Sequence, residues 1–253
     1  MRRINLRGSE RLLGSARAAG VRTAVVASSA LAVGVNRQAH ALDESADWTR
    51  HPYDIPYVVV RREAERVSLG MAAPGFTVVA VCPSFTMGPD DPVGAPANKL
   101  LKAVAAGKMR LKVPVGFGCL DVRDFADGVL LAAERGRSGQ RYLLSGENVT
   151  TEQFLELAAT AAGVRPPRFQ PPLPLLTAVV IVIGLVSRLR RKEPPITRGV
   201  LQLIGRNAWY DSTLARSELG WTSRPLQQTV ADTIAWLRDD GLEAQRTTRG
   251  VNP

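Results

Sequence analysis

Short β-prone apolar runs alternate with amphipathic stretches along most of the chain. Leu6, Leu12, Leu13 and Ala16 recur at near-helical spacing and stop at Gly20, and Thr23–Ala27 follows as a brief apolar run. The opening therefore reads as helix, glycine stop, buried strand. Residues 35–52, with Asn36, Asp43, Glu44, Asp47 and Pro52, read as a long surface loop, which a compact domain usually keeps for function. The pattern then predicts a helix over 53–72, a Pro74-Gly75 break and the strand Phe76–Cys82. After the Gly88-Pro89-Asp90-Asp91-Pro92 turn cluster come a predicted helix at 98–107, a strand-like Gly116–Leu120, a helix over 121–135 and the strand Arg141–Leu144. Thr150 precedes Gln153 at capping-box spacing and so opens the next helix. Pro166, Pro167, Pro171, Pro172 and Pro174 mark a stiff linker, beyond which helices are expected at 175–186, 197–205, 212–219 and 226–239.

Short buried strands separated by helices imply an α/β fold whose parallel sheet is covered on both faces. A chain of 253 residues, 45% of them hydrophobic, can bury one core, or a core with a small appended lobe. The net charge of +10 raises nucleic acid or an anionic membrane as partners. The arginines are scattered, however, and with 6% aromatic residues no stacking platform is evident, so nucleic-acid binding is not expected. Cys82 and Cys119 sit apart in apolar surroundings, and His40 and His51 lie in the polar loop, so no metal site is indicated and a reducing cytoplasm is the expected compartment.

Two apolar segments have a second reading. Arg2-Arg3, the stretch Ala24–Val35 and Ala39-His40-Ala41 imitate a twin-arginine signal. The polar amphipathic stretch between Arg3 and Gly20 is long for such a signal, and an ordinary helix followed by a buried strand accounts for both features. Leu173–Val186 is followed by Arg188, Arg190, Arg191 and Lys192; it falls short of the ~20 residues of a membrane span. A helix packed on a lobe is the plainer reading, and peripheral membrane contact through 173–192, basic residues toward anionic headgroups, is the alternative.

Tyr57 and Arg61 are four apart, which on a helix puts them on one face. A phenol titrating near ~10 is a poor acid or base at neutral pH. It needs a fixed cation nearby to favour its ionised form, and a hydroxyl to hold the substrate oxygen. Ser29, at the carboxyl end of its predicted strand, stands where open α/β sheets place their sites. Alone, a Tyr-x-x-x-Arg pair is a weak signal that chance produces often, and a half-buried tyrosine beside a solvated arginine is the plainer reading.

The context is wider than the pair. Asn5-Leu-Arg-Gly8 leading to Leu12-Leu13, Val25-Val-Ala-Ser-Ser-Ala-Leu-Ala-Val-Gly34, Pro56-Tyr-Val-Val-Val-Arg-Arg-Glu-Ala-Glu65, Pro83-Ser84 with Gly88-Pro89, Asp121-Val-Arg-Asp124 and Leu219-Gly-Trp221 together resemble the extended short-chain dehydrogenase/reductase superfamily. Within it the chain is most similar to NAD-dependent epimerase/dehydratases of the dihydroflavonol-reductase and hopanoid-associated sugar epimerase type, from about Asn5 to Gly241. The resemblance implies the carboxyl-terminal part of a Rossmann-type parallel sheet, about three strands with flanking helices, over 1–145. A small, mostly helical substrate lobe over 146–241 and a disordered tail over 242–253 would follow.

It implies hydride transfer between NAD or NADP and a secondary alcohol or ketone. The substrate would be a small molecule, either a sugar nucleotide or a ketone or alcohol. Ser29 is then the substrate hydrogen-bond donor, Tyr57 the general acid and base, and Arg61 the occupant of a lysine position that also holds the nicotinamide ribose. Pro83 and Ser84 fall where the family's chain passes the nicotinamide, and Asn5 matches a family asparagine, with a plain structural role equally open.

Two departures from the family bear on activity. Arg61 keeps the positive charge of the usual lysine, but a planar fork does not fit a site shaped for an ammonium in the same way, and weakened catalysis is expected. No Gly-x-x-Gly-x-x-Gly turn precedes Ser29, although such a turn is what binds a dinucleotide pyrophosphate. The chain is accordingly expected to begin in the helix after the family's fourth strand, to hold NAD(P) poorly by itself, and to leave Thr23–Ala27 as a bare apolar edge that invites self-association. A longer start, a truncated gene or a separate chain supplying the missing half are the readings open. The competing functional class is a non-catalytic family remnant, with attachment to a membrane surface as one form of it.

Overall fold

The computed structural model describes residues 2–46, 55–109, 111–172, 174–175, 178 and 202–249. His51, most of the apolar segment 173–192 and most of the helix expected at 197–205 lie outside them. Helix α1 (Arg2–Ala18) ends before Gly20, whose φ of 81° turns the chain into β1 (Thr23–Ala27). Helix α2 (Pro56–Leu69) starts on a proline and leads to β2 (Thr77–Pro83). A proline is tolerated there because the first helical N–H needs no intrahelical partner. Strand β2 is the centre of a parallel sheet, with β1 on one side in register from Thr23↔Thr77 to Ala27↔Val81.

Three more short strands and two helices continue the framework. Strand β3 (Phe85–Met87) follows β2 after Ser84, α3 (Pro96–Ala105) leads to β4 (Gly116–Asp121), and α4 (Val122–Arg135) to β5 (Arg141–Leu144). β5 pairs in parallel on the other side of β2, giving the order β1-β2-β5. Val78–Cys82 are completely buried, as a central parallel strand covered on both faces requires. On one face Val79 and Val81 pack with Ala132 of α4, Leu219 and Trp221; on the other Val78 meets Leu13 of α1 and Phe76.

The sheet's two edges differ. The outward N–H groups of Leu143 and Ser145 at β5 donate to Glu44 Oε1 (2.8 Å) and Ser212 Oγ (2.9 Å). Burial pushes the Glu44 carboxyl above its ordinary range, a rise that the Leu143 N–H opposes. At the other edge, β1 pairs with β2 alone among the described residues. The segment after Ser29 is less free than a surface loop. Asn36 exchanges two backbone hydrogen bonds with Asn207 (3.0 and 2.7 Å), and Leu42 bonds to Trp209 and Asp211 (2.8 and 2.9 Å), so the loop is stitched to the carboxyl-terminal part.

Around β4 a second, mixed sheet forms: β3 and β7 (Asn207–Ala208) run parallel to it, and β6 (Asn148–Thr150) antiparallel. Only β4 was expected, because strands of two or three residues are too short to display alternation. α5 (Thr151–Ala162) and α6 (Leu226–Arg249) pack with α3 into a separate core around Leu101, Phe154, Leu155, Val230 and Ile234. Helix α6 runs on past the predicted end at 239. Leu242, Glu243, Ala244, Gln245 and Arg246 are good helix formers, so the tail expected to be disordered from 242 is helical to Arg249.

The Asp121-Val-Arg-Asp124 motif clasps α4 to the chain's last segment. Asp121 caps α4 by accepting from Arg123 N (2.8 Å) and also takes the Arg123 guanidinium at 2.9 and 2.7 Å. Arg123 reaches on to Asp232 of α6 at 2.8 Å, and Arg224 Nε meets Asp124 at 2.8 Å. Trp221 Nε1 donates to the Asp124 carbonyl (2.8 Å). Gly220, at φ 71°, makes the turn that delivers this tryptophan onto Gly128, where a Cβ would lie 3.2 Å from its ring and 2.5 Å from Leu144 Cδ1.

Candidate active site

The strand-to-loop junctions at the carboxyl ends of β1 and β2 border a cavity of about 510 Å³. Ser28 and Ser29 enter it from the end of β1, Tyr57 from the first turn of α2, and Pro83 and Ser84 from the end of β2. Its remaining wall comes from Phe85 of β3, Phe117 and Gly118 of β4, the start of α3, and Ala208 and Tyr210 near β7. The cavity thus lies between the strand ends of the parallel sheet and the second, mixed sheet, and ends of strands are where open α/β sheets bind ligands.

Ser29 is extended (φ −157°, ψ 139°) ahead of a single 3₁₀ turn, Ala30–Val33, and its hydroxyl makes no capping bond to that turn. The buried Ala30, Val33 and Val35 that follow hold it against the core with Cys82 and Leu143. Tyr57 is 42% exposed, whereas Ser29 is 8% exposed: the serine is fixed and the phenol is open to a ligand. One helical turn on, Arg61 lays its guanidinium over the Tyr57 ring, 5.4 Å from the centroid, within cation–π range. Its Nη1 donates to the Ala27 carbonyl at 3.2 Å. Arg61 is therefore beside the cavity and shares the Tyr57 face, while Asn5, on α1, is not among the lining residues.

Two tyrosines line the cavity and their environments separate them. Tyr210 is buried and donates its hydroxyl to the Gly34 carbonyl (3.1 Å). Burial, and behind it the neighbouring Cys82, pushes its phenol far up, so it stays a neutral O–H. Beneath the site, Cys82 Sγ donates to Glu65 Oε2 (3.3 Å), and Glu65 pairs with Arg141 (3.1 Å). Burial and then the Glu65 charge raise the Cys82 thiol, so it is inert rather than nucleophilic. Among the described residues no cluster of His, Cys, Asp and Glu could hold a metal ion.

Another cavity of about 530 Å³ is lined by Asp43, Glu44, Ser45, Gln140, Asp211 and neighbours. Its carboxylates are already engaged: Asp43 with Ser45, Glu44 with Leu143, Asp211 with Thr213 and Arg216. It carries no phenol and no serine at a strand end facing one. The aromatic wall of the first cavity escaped the sequence reading. Phe85 and Phe117 stand 32 positions apart yet meet edge to face at 5.0 Å, and Phe117 meets Phe154 at 5.3 Å. The one local hint was Phe117 itself, a lone aromatic between Gly116 and Gly118.

Known proteins share this architecture. A putative dihydroflavonol 4-reductase from Synechocystis sp. is 29% identical over 94% of this chain and 71% of its own. Sterol demethylase protein B from Methylococcus capsulatus is 30% identical over 94% of this chain and 73% of its own. The crystal structure of a nucleoside-diphosphate-sugar epimerase from Pseudomonas aeruginosa superposes with a TM-score of 0.74 at 24% identity, covering 94% of this chain and 74% of that one. Among the described residues no helix is long and apolar enough to cross a membrane. The sequence profile of the NAD dependent epimerase/dehydratase family matches residues 1–145, more than half of the protein, and with the parallel sheet and strand-end cavity it establishes that the chain belongs to that family.

Proposed function

We propose that the protein is an NAD(P)-linked oxidoreductase acting at a secondary alcohol or ketone carbon, with Tyr57 moving the proton and Ser29 holding the substrate oxygen. The observation that carries this reading is the convergence of Ser29, Tyr57, Pro83 and Ser84 on one cavity at the ends of β1 and β2, with Arg61 over the phenol ring. A relative named for dihydroflavonol reduction supports chemistry at an oxygenated carbon.

The residues present fit the nicotinamide end of the family's dinucleotide. Ser84 Oγ is buried and has no hydrogen-bond partner among the described residues, which suits it to a ligand amide beside Pro83. When bound, the dinucleotide supplies or accepts the hydride. Ser29 Oγ donates a hydrogen bond to the carbonyl oxygen and fixes it beside Tyr57. The Tyr57 hydroxyl delivers its proton to that oxygen as the carbonyl becomes an alcohol, and takes it back in the reverse direction. The Arg61 guanidinium supplies a counter-charge to the ring while the proton is away.

The test follows the absorbance of reduced nicotinamide with a panel of ketones. Tyr57→Phe is expected to lower kcat/KM by about 10²- to 10⁴-fold, the range of a positioned acid or base, with Ser29→Ala also slower. Turnover that ignores Tyr57→Phe would sink the reading. A second reading, a non-catalytic family remnant, is favoured by one feature. The Arg61 guanidinium donates to the Ala27 carbonyl and so is partly committed to the backbone rather than free for a ribose. It predicts a normally folded chain that gives no calorimetric heat with either NADH or NADPH.

A further inference from the structure

We infer that the cavity takes a neutral, mostly apolar, ring-bearing ketone or alcohol and refuses a nucleotide-linked sugar. The inference rests on the proposed reaction for the position of the reacting oxygen alone; the rest comes from the walls. The polar side chains that line the cavity carry hydroxyls, Ser29, Tyr57 and Ser84 among them, from the ends of β1 and β2 and the first turn of α2. The second sheet and the start of α3 contribute Phe85, Val115, Phe117, Ala95, Pro96 and Ala97. Among the described residues no Lys, Arg, His, Asp or Glu side chain lines it.

A nucleotide sugar brings a diphosphate, whose charges must meet cations or aligned N–H donors when taken out of water. Among the described residues no basic side chain stands in this wall to supply them; Arg61 lies beside it, over the Tyr57 ring, with one N–H on the Ala27 carbonyl. The start of α3 is where N–H groups would be sought, and the segment leading into it is already engaged by a carboxylate. The Asp91 carboxylate accepts from the N–H groups of Val93 (3.3 Å), Gly94 (2.9 Å) and Ala95, and Pro96 has none to give. The protein thus places its own anion at the helix start that borders the cavity, which disfavours a second one.

The apolar wall is built to receive a flat body. Phe85 and Phe117 cross at 64°, Phe117 and Phe154 at 70°, and Phe154 is fully buried, so the ring of Phe117 is held from two sides. A volume of about 510 Å³ falls within the ~300–1,000 Å³ of pockets that enclose a drug-sized ligand. The hydroxyls then serve a single oxygen on an otherwise unadorned ring system.

The experiment is isothermal titration of the purified chain, without cofactor, with three probes: progesterone and 2-acetylnaphthalene as neutral ring ketones, and uridine diphosphate glucose. At least one ketone is expected to bind at least tenfold more tightly than the nucleotide sugar. Equal or tighter binding of uridine diphosphate glucose, or no binding of either ketone, overturns the inference. Ala95→Asn puts a neutral amide in the wall at a helix N-cap, a position that favours asparagine without a second charge beside Asp91, so the fold is retained. It is expected to weaken ketone binding about tenfold with melting unchanged, and unchanged affinity would show that the ketone sits elsewhere. Phe85→Ala, which removes one ring of the wall, is the second variant: it is expected to weaken ketone binding about tenfold and, because Phe85 also packs on the core, to lower Tm by several degrees. Turnover is read separately with NADH and NADPH. A ketone that binds here but is never reduced sinks the proposed reaction and leaves the substrate class standing, whereas turnover of a nucleotide sugar does the reverse.

Discussion

A guanidinium and an ammonium act differently on a phenol. At position 61 the planar fork covers the Tyr57 ring at 5.4 Å and spends one N–H on the Ala27 carbonyl, whereas a lysine would bring a compact charge on a flexible stem and leave the ring face open. Arg61→Lys is therefore expected to raise kcat several-fold with a smaller change in KM, measured as NAD(P)H-linked ketone reduction. Absence of any gain would show that arginine does not limit catalysis. The same residue marks how far the site is legible in sequence. Ser29, Tyr57 and Arg61 sit in local motifs, a strand end and a helical i,i+4 pair, whose geometry follows from short-range rules. The facing wall does not. Phe85, Ala95, Phe117 and Tyr210 meet only through the pairing of β3, β4 and β7, and no local periodicity records which distant strands will be neighbours.

At the scale of elements, what was readable depended on length and on side chains that act close by. The capping box of α5 is complete: Gln153 N donates to Thr150 Oγ1 (3.2 Å) and Thr150 N to Gln153 Oε1 (2.8 Å). Thr150→Ala is expected to cost about 1 kcal/mol, a fall of roughly 2–4 °C in Tm for a chain of this size, seen by circular dichroism. An unchanged Tm would mean that packing of Phe154 and Leu155, not the cap, decides this helix. The α4 clasp adds a pH dependence. Burial would raise the Asp121 carboxyl, but hydrogen bonds from the Arg123 side chain and backbone outweigh it, and the group titrates below its ordinary range.

A carboxyl lowered in the folded state contributes stability that is present above its unfolded value, about pH 4, and is lost as pH falls through the lower folded value. Asp121→Asn should therefore reduce the urea midpoint at neutral pH, by an equivalent of about 1–3 kcal/mol for a buried group losing a charged partner. The gap to the wild type should close below about pH 4. A gap that stays constant from neutral to strongly acidic pH would assign the loss to packing instead. Nothing in the spacing of Asp121, Arg123, Asp124, Arg224 and Asp232 announced this clasp. Its partners are about a hundred residues apart, and only the return of the carboxyl-terminal segment to the start of α4 brings their charges together.

Across the whole molecule the two edges of the parallel sheet differ in what covers them among the described residues. The β5 edge is closed by Glu44 and Ser212. Along β1 the bonds from Thr77 N to the Arg22 carbonyl and from Ser28 N to the Val81 carbonyl fix the alternation. Arg22, Ala24, Val26 and Ser28 turn their backbone to β2, so Thr23, Val25 and Ala27 turn theirs outward. Arg61 takes the Ala27 carbonyl, and among the described residues Thr23 and Val25 remain as the pairing template. Beside them Val21 is 42% exposed, and on α1 Leu12 and Ile4 are 71% and 74% exposed. An edge of unpaired backbone groups flanked by apolar side chains recruits another chain unless it is blocked. The purified protein is thus expected to self-associate, its sedimentation coefficient rising across a micromolar concentration series. Thr23→Pro, at the first position of the strand where the ring replaces an outward N–H, is expected to shift that series toward the monomer without changing Tm by more than a few degrees. A wild type that sediments as a monomer throughout, or a Thr23→Pro protein that associates as before, would move the contact away from β1 and onto the exposed face of α1, where Leu12→Glu becomes the deciding substitution.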